Sequence, residues 1–247
     1  MAGVHDAAAR GFSRSADAYD RARPDYPPAA VAWLAERLGL RAGRTVVDLA
    51  AGTGKLTRAL AASGATVTAV EPVAEMRAAL PVSVTALDGT AEAIPLGAGS
   101  VDLVTVAQAF HWFDGPAALA EIHRVLRPGG RLAVLWNRRA EDDSVNRAIE
   151  DLIEPYRMGT PTHRGDAWRA AFEGTALFGP LETHVFPNQQ VLDADGLAAR
   201  ICSISFIARL PEAERAGLLA RARELTADGP VTVPYRTEVH ICEAKRA

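Results

Sequence analysis

A short apolar strand that runs into a glycine-rich loop constrains this chain more than any other feature. Segment 46–49 (Val-Val-Asp-Leu) predicts a buried strand, and the small residues of segment 50–54 (Ala-Ala-Gly-Thr-Gly) allow a sharp turn and close approach of a ligand to the backbone. A helix begins at about Lys55, and its free backbone N–H groups face the same crevice. Glu71 ends the next apolar run, where its carboxylate can accept from two ribose hydroxyls. The arrangement predicts a nucleoside-bearing cofactor in the first crossover of a doubly wound sheet.

Three classes of cofactor can be compared with this loop. The phosphate-binding loop of NTPases needs G-x-x-x-x-G-K-[ST], but Leu49 and Leu56 stand where the first Gly and the final Ser or Thr are required. The dinucleotide fingerprint G-x-G-x-x-G is matched at Gly52 and Gly54, whereas Thr57 replaces the third glycine. S-adenosylmethionine (AdoMet) carries no phosphate, so the loop only has to pass its amino-acid end and its ribose.

Five segments resemble, in order and spacing, the motifs of class I AdoMet-dependent methyltransferases. They are 46–54 for the glycine motif, 70–72 for the acidic ribose-binding motif, 89–96 for the loop beside adenine, 100–106 for strand four and 126–132 for the turn into strand five. One such motif is weak support, but five in the right order are specific. The resemblance covers residues 10–136 strongly and the rest of the chain weakly.

The resemblance implies an α/β fold. The expected architecture is a Rossmann-like, doubly wound, mostly parallel seven-stranded sheet with an antiparallel C-terminal hairpin strand and a helical cap. Alternating strand and helix patterns independently indicate a parallel sheet. We expect residues 1–40 to form an N-terminal lid segment and the first helix, and 41–137 the AdoMet-binding core. Residues 138–247 then supply the helical cap insertions and the last two strands.

The resemblance also implies a role for individual residues toward AdoMet. Asp48 orients the loop or the cofactor amine, and Glu71 holds the ribose. Many relatives carry an Asp at the position of Thr90, whose hydroxyl is a weaker acceptor for the adenine amino group, so the backbone N–H of Ala91 is a second candidate contact. The other expected cofactor-binding residues are Ala50, Gly52, Thr53, Gly54, Pro72, Glu92, Ala107, Gln108 and Trp112.

His111 and Tyr19 are the candidate catalytic residues. His111 follows strand four at its carboxyl end, where ligands of such sheets bind, and can act as a base or orient the acceptor. Tyr19 lies in segment 12–27, which resembles the lid of a small-molecule subgroup that includes the trans-aconitate methyltransferases. Arg23 in that segment suits an anionic group. The alternatives are a structural histidine and a solvated chain terminus.

Composition narrows the class of partner. The net charge of −3 and the lack of a long basic run disfavour nucleic acid as a partner. No His or Cys spacing is typical of a metal site, so we expect no metal. The chain start has no apolar signal core and no segment reaches the length of a membrane span. We therefore expect a cytoplasmic monomer or homodimer without a membrane partner.

These observations favour an AdoMet-dependent methyltransferase that acts on an O, N or C atom of a small-molecule acceptor. An NAD-dependent oxidoreductase shares the first crossover and is one alternative. A non-catalytic AdoMet-binding protein is the other.

Overall fold

The structure, a computed structural model, describes residues 20–157 and 167–246. Tyr19 and the first part of the predicted lid segment lie outside the described residues. A single sheet runs through the described part, with strand order β3-β2-β1-β4-β5-β7-β6. The strands are β1 (Thr45–Leu49), β2 (Thr66–Val70), β3 (Thr85–Leu87), β4 (Val101–Ala107), β5 (Leu126–Arg139), β6 (Glu182–Leu192) and β7 (Val231–Glu243).

The first five strands are parallel, and β7 inserts antiparallel between β5 and β6. This confirms the predicted mostly parallel sheet with antiparallel C-terminal strands. The helices are α1 (Pro28–Leu38), α2 (Lys55–Ala61), α3 (Ala74–Ala78), α4 (Gly115–Val125), α5 (Ser144–Ile153), α6 (Ala170–Glu173), α7 (Ala194–Cys202), α8 (Ser205–Ala208) and α9 (Glu212–Glu224). None of these described helices is both long and apolar enough to cross a membrane.

Strands β1 and β4 occupy the centre of the sheet because both of their faces are covered. Every residue from Val46 to Leu49 is buried, and so is every residue from Val101 to Val106. Such continuous apolar runs are typical of parallel strands between two helical layers. One face packs against α4 through Leu119 and Ile122, and the other against α1 and α2. The carboxyl ends of these strands therefore meet at one edge.

Three of the later helices begin at an aspartate. Asp114, Asp143 and Asp193 each accept a hydrogen bond from the backbone N–H three residues on, at 3.3, 2.9 and 2.8 Å. Such caps satisfy one of the free N–H groups of a helix start. Helices α5, α7, α8 and α9 enclose a separate apolar cluster that packs on Val233 and Tyr235 of β7. These four helices lie in the part of the chain for which a cap is predicted.

Strand β6 differs from the sequence-based expectation. The sequence of segment 181–192 is strand-like and predicts a break near Pro187 and Asn188, but the structure shows one continuous strand paired with β7 from Glu182 to Leu192. Because β6 is the edge strand, it pairs on one side only, and a residue without a backbone N–H is tolerated there.

Two non-glycine residues adopt a positive φ at the carboxyl edge of the sheet. Ala50 follows β1 with φ of 54°, and Gln108 follows β4 with φ of 59°. This left-handed conformation is costly for a residue with a Cβ atom. The chain makes both turns immediately after a buried central strand, so packing of the strand holds them in place.

We expect Ala50→Gly to stabilise the protein by about 0.5–1 kcal/mol, because relief of the left-handed strain exceeds the added entropy of the unfolded chain. Chemical denaturation measures the change. The control is Ala51→Gly, since Ala51 has no positive φ and should lose stability. Equal effects of the two substitutions would show that Ala50 is not strained.

Candidate cofactor and active site

A cleft of about 1260 Å³, its open mouth included, lies at the carboxyl edge of the sheet. The loops after β1, β2 and β4 form its floor and the short segment after β3 forms one side. Arg23, Pro24 and Tyr26 of the N-terminal segment cover it from above, and Arg200 of α7 reaches it from the cap. The cleft is therefore built from the core, the N-terminal segment and the cap together.

Most of the predicted cofactor-binding residues line this cleft. They are Ala50, Gly52, Thr53, Glu71, Pro72, Thr90, Ala91, Glu92, Ala107, Gln108 and Trp112. Three predicted site residues, Asp48, Gly54 and His111, are not among its lining residues. Tyr19 lies outside the described part of the chain. The motifs after β1, β2, β3 and β4 thus converge on one space, as their order along the sheet requires.

Glu71 joins the glycine loop to the start of α3. Its Oε2 accepts from the N–H of Gly52 at 2.8 Å, and its Oε1 accepts from the N–H of Val73 at 2.9 Å. Burial raises the pKa of the carboxyl group, and these two N–H groups oppose the rise. Each carboxylate oxygen retains a free lone pair. Because Glu71 lines the cleft, those lone pairs can accept from two hydroxyl groups of a ligand.

Asp48 lies beneath the glycine loop and holds the elements around it through hydrogen bonds. Its carboxylate is buried, and it accepts from the hydroxyls of Thr57 in α2 at 2.6 Å and Thr105 in β4 at 2.8 Å. Burial, only partly opposed by these hydrogen bonds, raises the pKa of Asp48 to about 6. The side chain links β1, β4 and α2 around the loop. This geometry favours the loop-orienting alternative among the two roles predicted for Asp48.

Gly54 serves the backbone and not the cleft. It has a φ of 87° at the start of α2, and an added Cβ would lie 3.0 Å from Leu80 and 3.1 Å from Pro81. Both the conformation and the close packing require glycine. The glycine at position 54 of the motif is therefore required for the turn into α2.

Thr90 and Gln108 place buried polar atoms in the wall of the cleft. The Thr90 hydroxyl and the Gln108 side-chain amide nitrogen are buried and have no hydrogen-bond partner among the described residues. Buried polar groups without partners are rare in folded proteins. A ligand with polar groups on both sides of the cleft would satisfy them, so the wall is suited to a nucleoside-sized polar molecule.

His111 packs against two indole rings beside the cleft. Its ring lies 4.6 Å from that of Trp112 and 5.4 Å from that of Trp136, centroid to centroid. Burial and the nearby Arg23 guanidinium lower the pKa of His111 to about 3. The imidazole is therefore neutral at pH 7, and it is a weak base. An orienting role through Trp112, which lines the cleft, fits this environment better than proton abstraction.

The N-terminal segment is tied to the glycine loop. Asp20 accepts from the Thr53 hydroxyl at 2.6 Å and pairs with Arg58 at 2.9 Å, and Asp25 pairs with Lys55 at 2.6 Å. These contacts hold the described end of the segment over the start of α2.

Three residues that also line the cleft, Asn137, Met76 and Arg200, were not predicted from the sequence. Asn137 stands near the end of β5, so the rule that ligands bind beyond strand ends could have found it. Its side-chain amide donates to the carbonyls of Pro24 and Asp25, both at 3.3 Å. Arg200 belongs to a helix distant in sequence, and no local pattern pointed to it.

Comparisons with known proteins agree with this geometry. The family described as a methyltransferase domain matches residues 47–134. An uncharacterised methyltransferase of Mycobacterium tuberculosis is 41% identical over 237 residues, 92% of each chain. A protein of Anaeromyxobacter dehalogenans assigned as a type II methyltransferase has a TM-score of 0.64 and 25% identity, and the match covers 91% of this chain and 97% of that one.

A phosphoethanolamine N-methyltransferase of Haemonchus contortus, whose structure contains AdoMet, has a TM-score of 0.58 and 16% identity. That match covers 99% of this chain and 61% of the nematode chain, and it shows a shared fold alone.

The chain belongs to the methyltransferase family. Its sheet and its ordered motifs are those of the class I AdoMet-dependent members, which confirms the resemblance drawn from the sequence. Membership of this family supports a methyltransferase and not the alternative of an NAD-dependent oxidoreductase. The narrower resemblance to the trans-aconitate subgroup stays a prediction.

The buried Asp48 predicts an unusual pH dependence. Its pKa is about 6 in the folded protein and near 3.9 in an unfolded chain. Between these values the folded state binds more protons, so stability falls as pH rises. We expect Asp48→Asn to gain stability relative to the native protein between pH 4 and 7, by up to about 3 kcal/mol. Urea unfolding at a series of pH values measures the gain.

Asp102→Asn is the control of opposite sign. Burial alone would raise the pKa of Asp102, but hydrogen bonds from Thr45 and the guanidinium groups of Arg127 and Arg44 lower it. Its carboxylate therefore stabilises the folded state above the unfolded pKa, and this contribution is lost as pH falls. A pH-independent difference between Asp48→Asn and the native protein would contradict the assigned environment of Asp48.

Proposed function

We propose that this protein transfers a methyl group from AdoMet to a small molecule in the cleft. The observation that carries the proposal is Glu71: its carboxylate lines the cleft and is held by two loop N–H groups with a lone pair free on each oxygen. That arrangement suits the two hydroxyls of a ribose. Residues of the cap and of the N-terminal segment also line the cleft, which favours a small acceptor over a macromolecule.

The residues present fit AdoMet. When bound, AdoMet supplies a methyl group on a sulfonium that needs no further activation. Glu71 would hold the ribose, and the backbone of Gly52 allows close approach of the amino-acid portion. Gln108, at the turn after β4, would offer its side-chain amide to the same portion. Asp48 would keep the loop in register without touching the cofactor.

The adenine end would lie between Ala91 and Trp112. Both line the cleft, and Thr90 places its unpartnered hydroxyl beside them. The hydroxyl can accept from the adenine amino group, the part that an aspartate plays in many members of the family. Glu92 accepts from the N–H of Asp114 at 3.0 Å and so ties this loop to the start of α4.

The acceptor would lie under the cap. In-line transfer from a sulfonium depends mainly on positioning and on exclusion of water. Trp112 and Phe113 form an apolar wall, and His111 orients the Trp112 ring from behind. Tyr19 is proposed as a further acceptor contact on the predicted lid. We propose that the protein acts in the cytoplasm, as a monomer or homodimer, and without nucleic acid.

Isothermal titration of the native protein with AdoMet, S-adenosylhomocysteine (SAH) and NAD tests the cofactor. We expect AdoMet and SAH to bind and NAD not to bind. Glu71→Gln should weaken both nucleosides by about 1.5–3 kcal/mol, because hydrogen bonds to a charged group are lost. Glu75→Gln is the matched control, since Glu75 is an exposed residue of the same region outside the cleft. Unchanged affinity of Glu71→Gln would remove Glu71 from the ribose site.

Thr90→Val tests the adenine contact. We expect SAH to bind about threefold to tenfold more weakly, because the variant keeps the shape of the side chain and loses one hydrogen bond. The loss should disappear for an SAH analogue with unsubstituted purine in place of adenine, which lacks the amino group. Thr85→Val, on the exposed strand β3 outside the cleft, should change neither affinity. An equal loss with both ligands would place Thr90 away from the amino group.

A further inference from the structure

Arg200 is a buried cation at the cap side of the cleft. It lies on α7 between the cap-core residues Leu197 and Ile201, is only 7% exposed, and lines the cleft. Arginine is almost never this buried without a paired negative charge. Packing within the cap therefore does not explain why a charged side chain is buried at this position.

The partners of Arg200 are all neutral. Its Nε donates to the Tyr235 hydroxyl at 3.1 Å and its Nη1 to the Ser203 hydroxyl at 3.4 Å. The guanidinium carbon lies 5.9 Å from the centroid of the Tyr235 ring. In the part of the chain that the structure describes, no carboxylate lies within 4.0 Å of it, and Nη2 donates to no acceptor.

A second guanidinium, that of Arg23, contacts the same serine as Arg200. Arg23 of the N-terminal segment donates to the carbonyl of Ser203, so the two arginines flank one residue and both line the cleft. Neither of the two carboxylates that line the cleft pairs with Arg200 in the described structure: Glu71 accepts from the N–H groups of Gly52 and Val73, and Glu92 from that of Asp114. The buried charge of Arg200 is therefore not offset by a carboxylate of the described residues.

We propose that Arg200, assisted by Arg23, binds an oxyanion of the methyl acceptor, a carboxylate or a phosphate. The inference rests on the proposed function, since it assigns the substrate class of the same cleft. The planar guanidinium matches either group through paired N–H donors. The oxyanion of the acceptor supplies the negative charge that pairs with Arg200. Tyr235 and Ser203 hold the guanidinium in position for this contact.

The cofactor itself offers a competing anion. AdoMet and SAH carry a carboxylate, whereas methylthioadenosine has the same nucleoside without the amino-acid portion. Comparison of SAH with methylthioadenosine therefore shows whether Arg200 serves the cofactor or the acceptor.

The experiment measures two affinities for the native protein, Arg200→Gln and Arg200→Lys. The first is calorimetry with SAH and with methylthioadenosine. The second is titration of the SAH-loaded protein with succinate, benzoate and inorganic phosphate at constant ionic strength. Arg221→Gln is the matched control, because Arg221 is an exposed arginine of the cap helix α9.

We expect at least one probe to bind the SAH-loaded native protein and Arg221→Gln. Arg200→Gln should lose at least about tenfold in that affinity while its affinity for SAH stays within about twofold of the native value. Arg200→Lys, which keeps the charge without the planar fork, should bind the probe at an intermediate affinity and serves if the Gln variant does not fold. The class of probe that binds distinguishes a carboxylate from a phosphate.

Three results would overturn the inference. No probe binds the native SAH complex; Arg200→Gln binds the probe as the native protein does; or Arg200→Gln loses SAH but not methylthioadenosine, which would assign the arginine to the cofactor. Failure of the proposed function is a different result, because the native protein would then bind neither AdoMet nor SAH.

Discussion

The buried carboxylate of Asp48 is the interaction on which the site depends. It joins β1 to β4 through Thr105 and to α2 through Thr57, and the glycine loop runs between these points. The burial is costly, as the raised pKa of Asp48 shows. These bonds fix both ends of the loop, in which the N–H of Gly52 donates to Glu71. A carboxylate below the loop and another beside it thus set the floor of the cleft before any ligand enters.

The floor of the cleft comes from the core, and its roof, formed by Arg23, Pro24, Tyr26 and Arg200, comes from distant parts of the chain. The floor comes from turns directly after buried strands, where Ala50 and Gln108 are held at positive φ. The roof is attached by polar contacts, such as those of Asn137 with the backbone of Pro24 and Asp25. The floor and the roof also differ in charge, because Glu71 lies at the floor and Arg200 at the roof. A ligand that spans both would meet an acceptor of hydrogen bonds at one end and a cation at the other.

Some of the departures from a fully satisfied interior lie in the wall of this cleft. Thr90 and Gln108 leave polar atoms without partners among the described residues, and Arg200 is buried without a carboxylate. Foldability alone would select against such groups, and proteins accept them mainly at functional sites. Gly54 belongs to the same sequence motif but does not line the cleft. Glycine is required there because an added Cβ would be too close to Leu80 and Pro81, which is a requirement of the fold and not of a ligand.

The sequence by itself determined the strand–loop–helix unit, the place of Glu71 after the second strand, and the alternation of strands and helices that makes a parallel sheet. Each of these depends on neighbours within a few residues or on the 3.6- and 2-residue periods of helices and strands. The sequence predicted most of the cleft floor for the same reason. Only the tertiary structure decided that β6 continues through Pro187, that His111 packs beside the cleft and that Arg200 reaches it. These outcomes follow from edge position, from desolvation and from helix packing across distant segments, which no local pattern encodes.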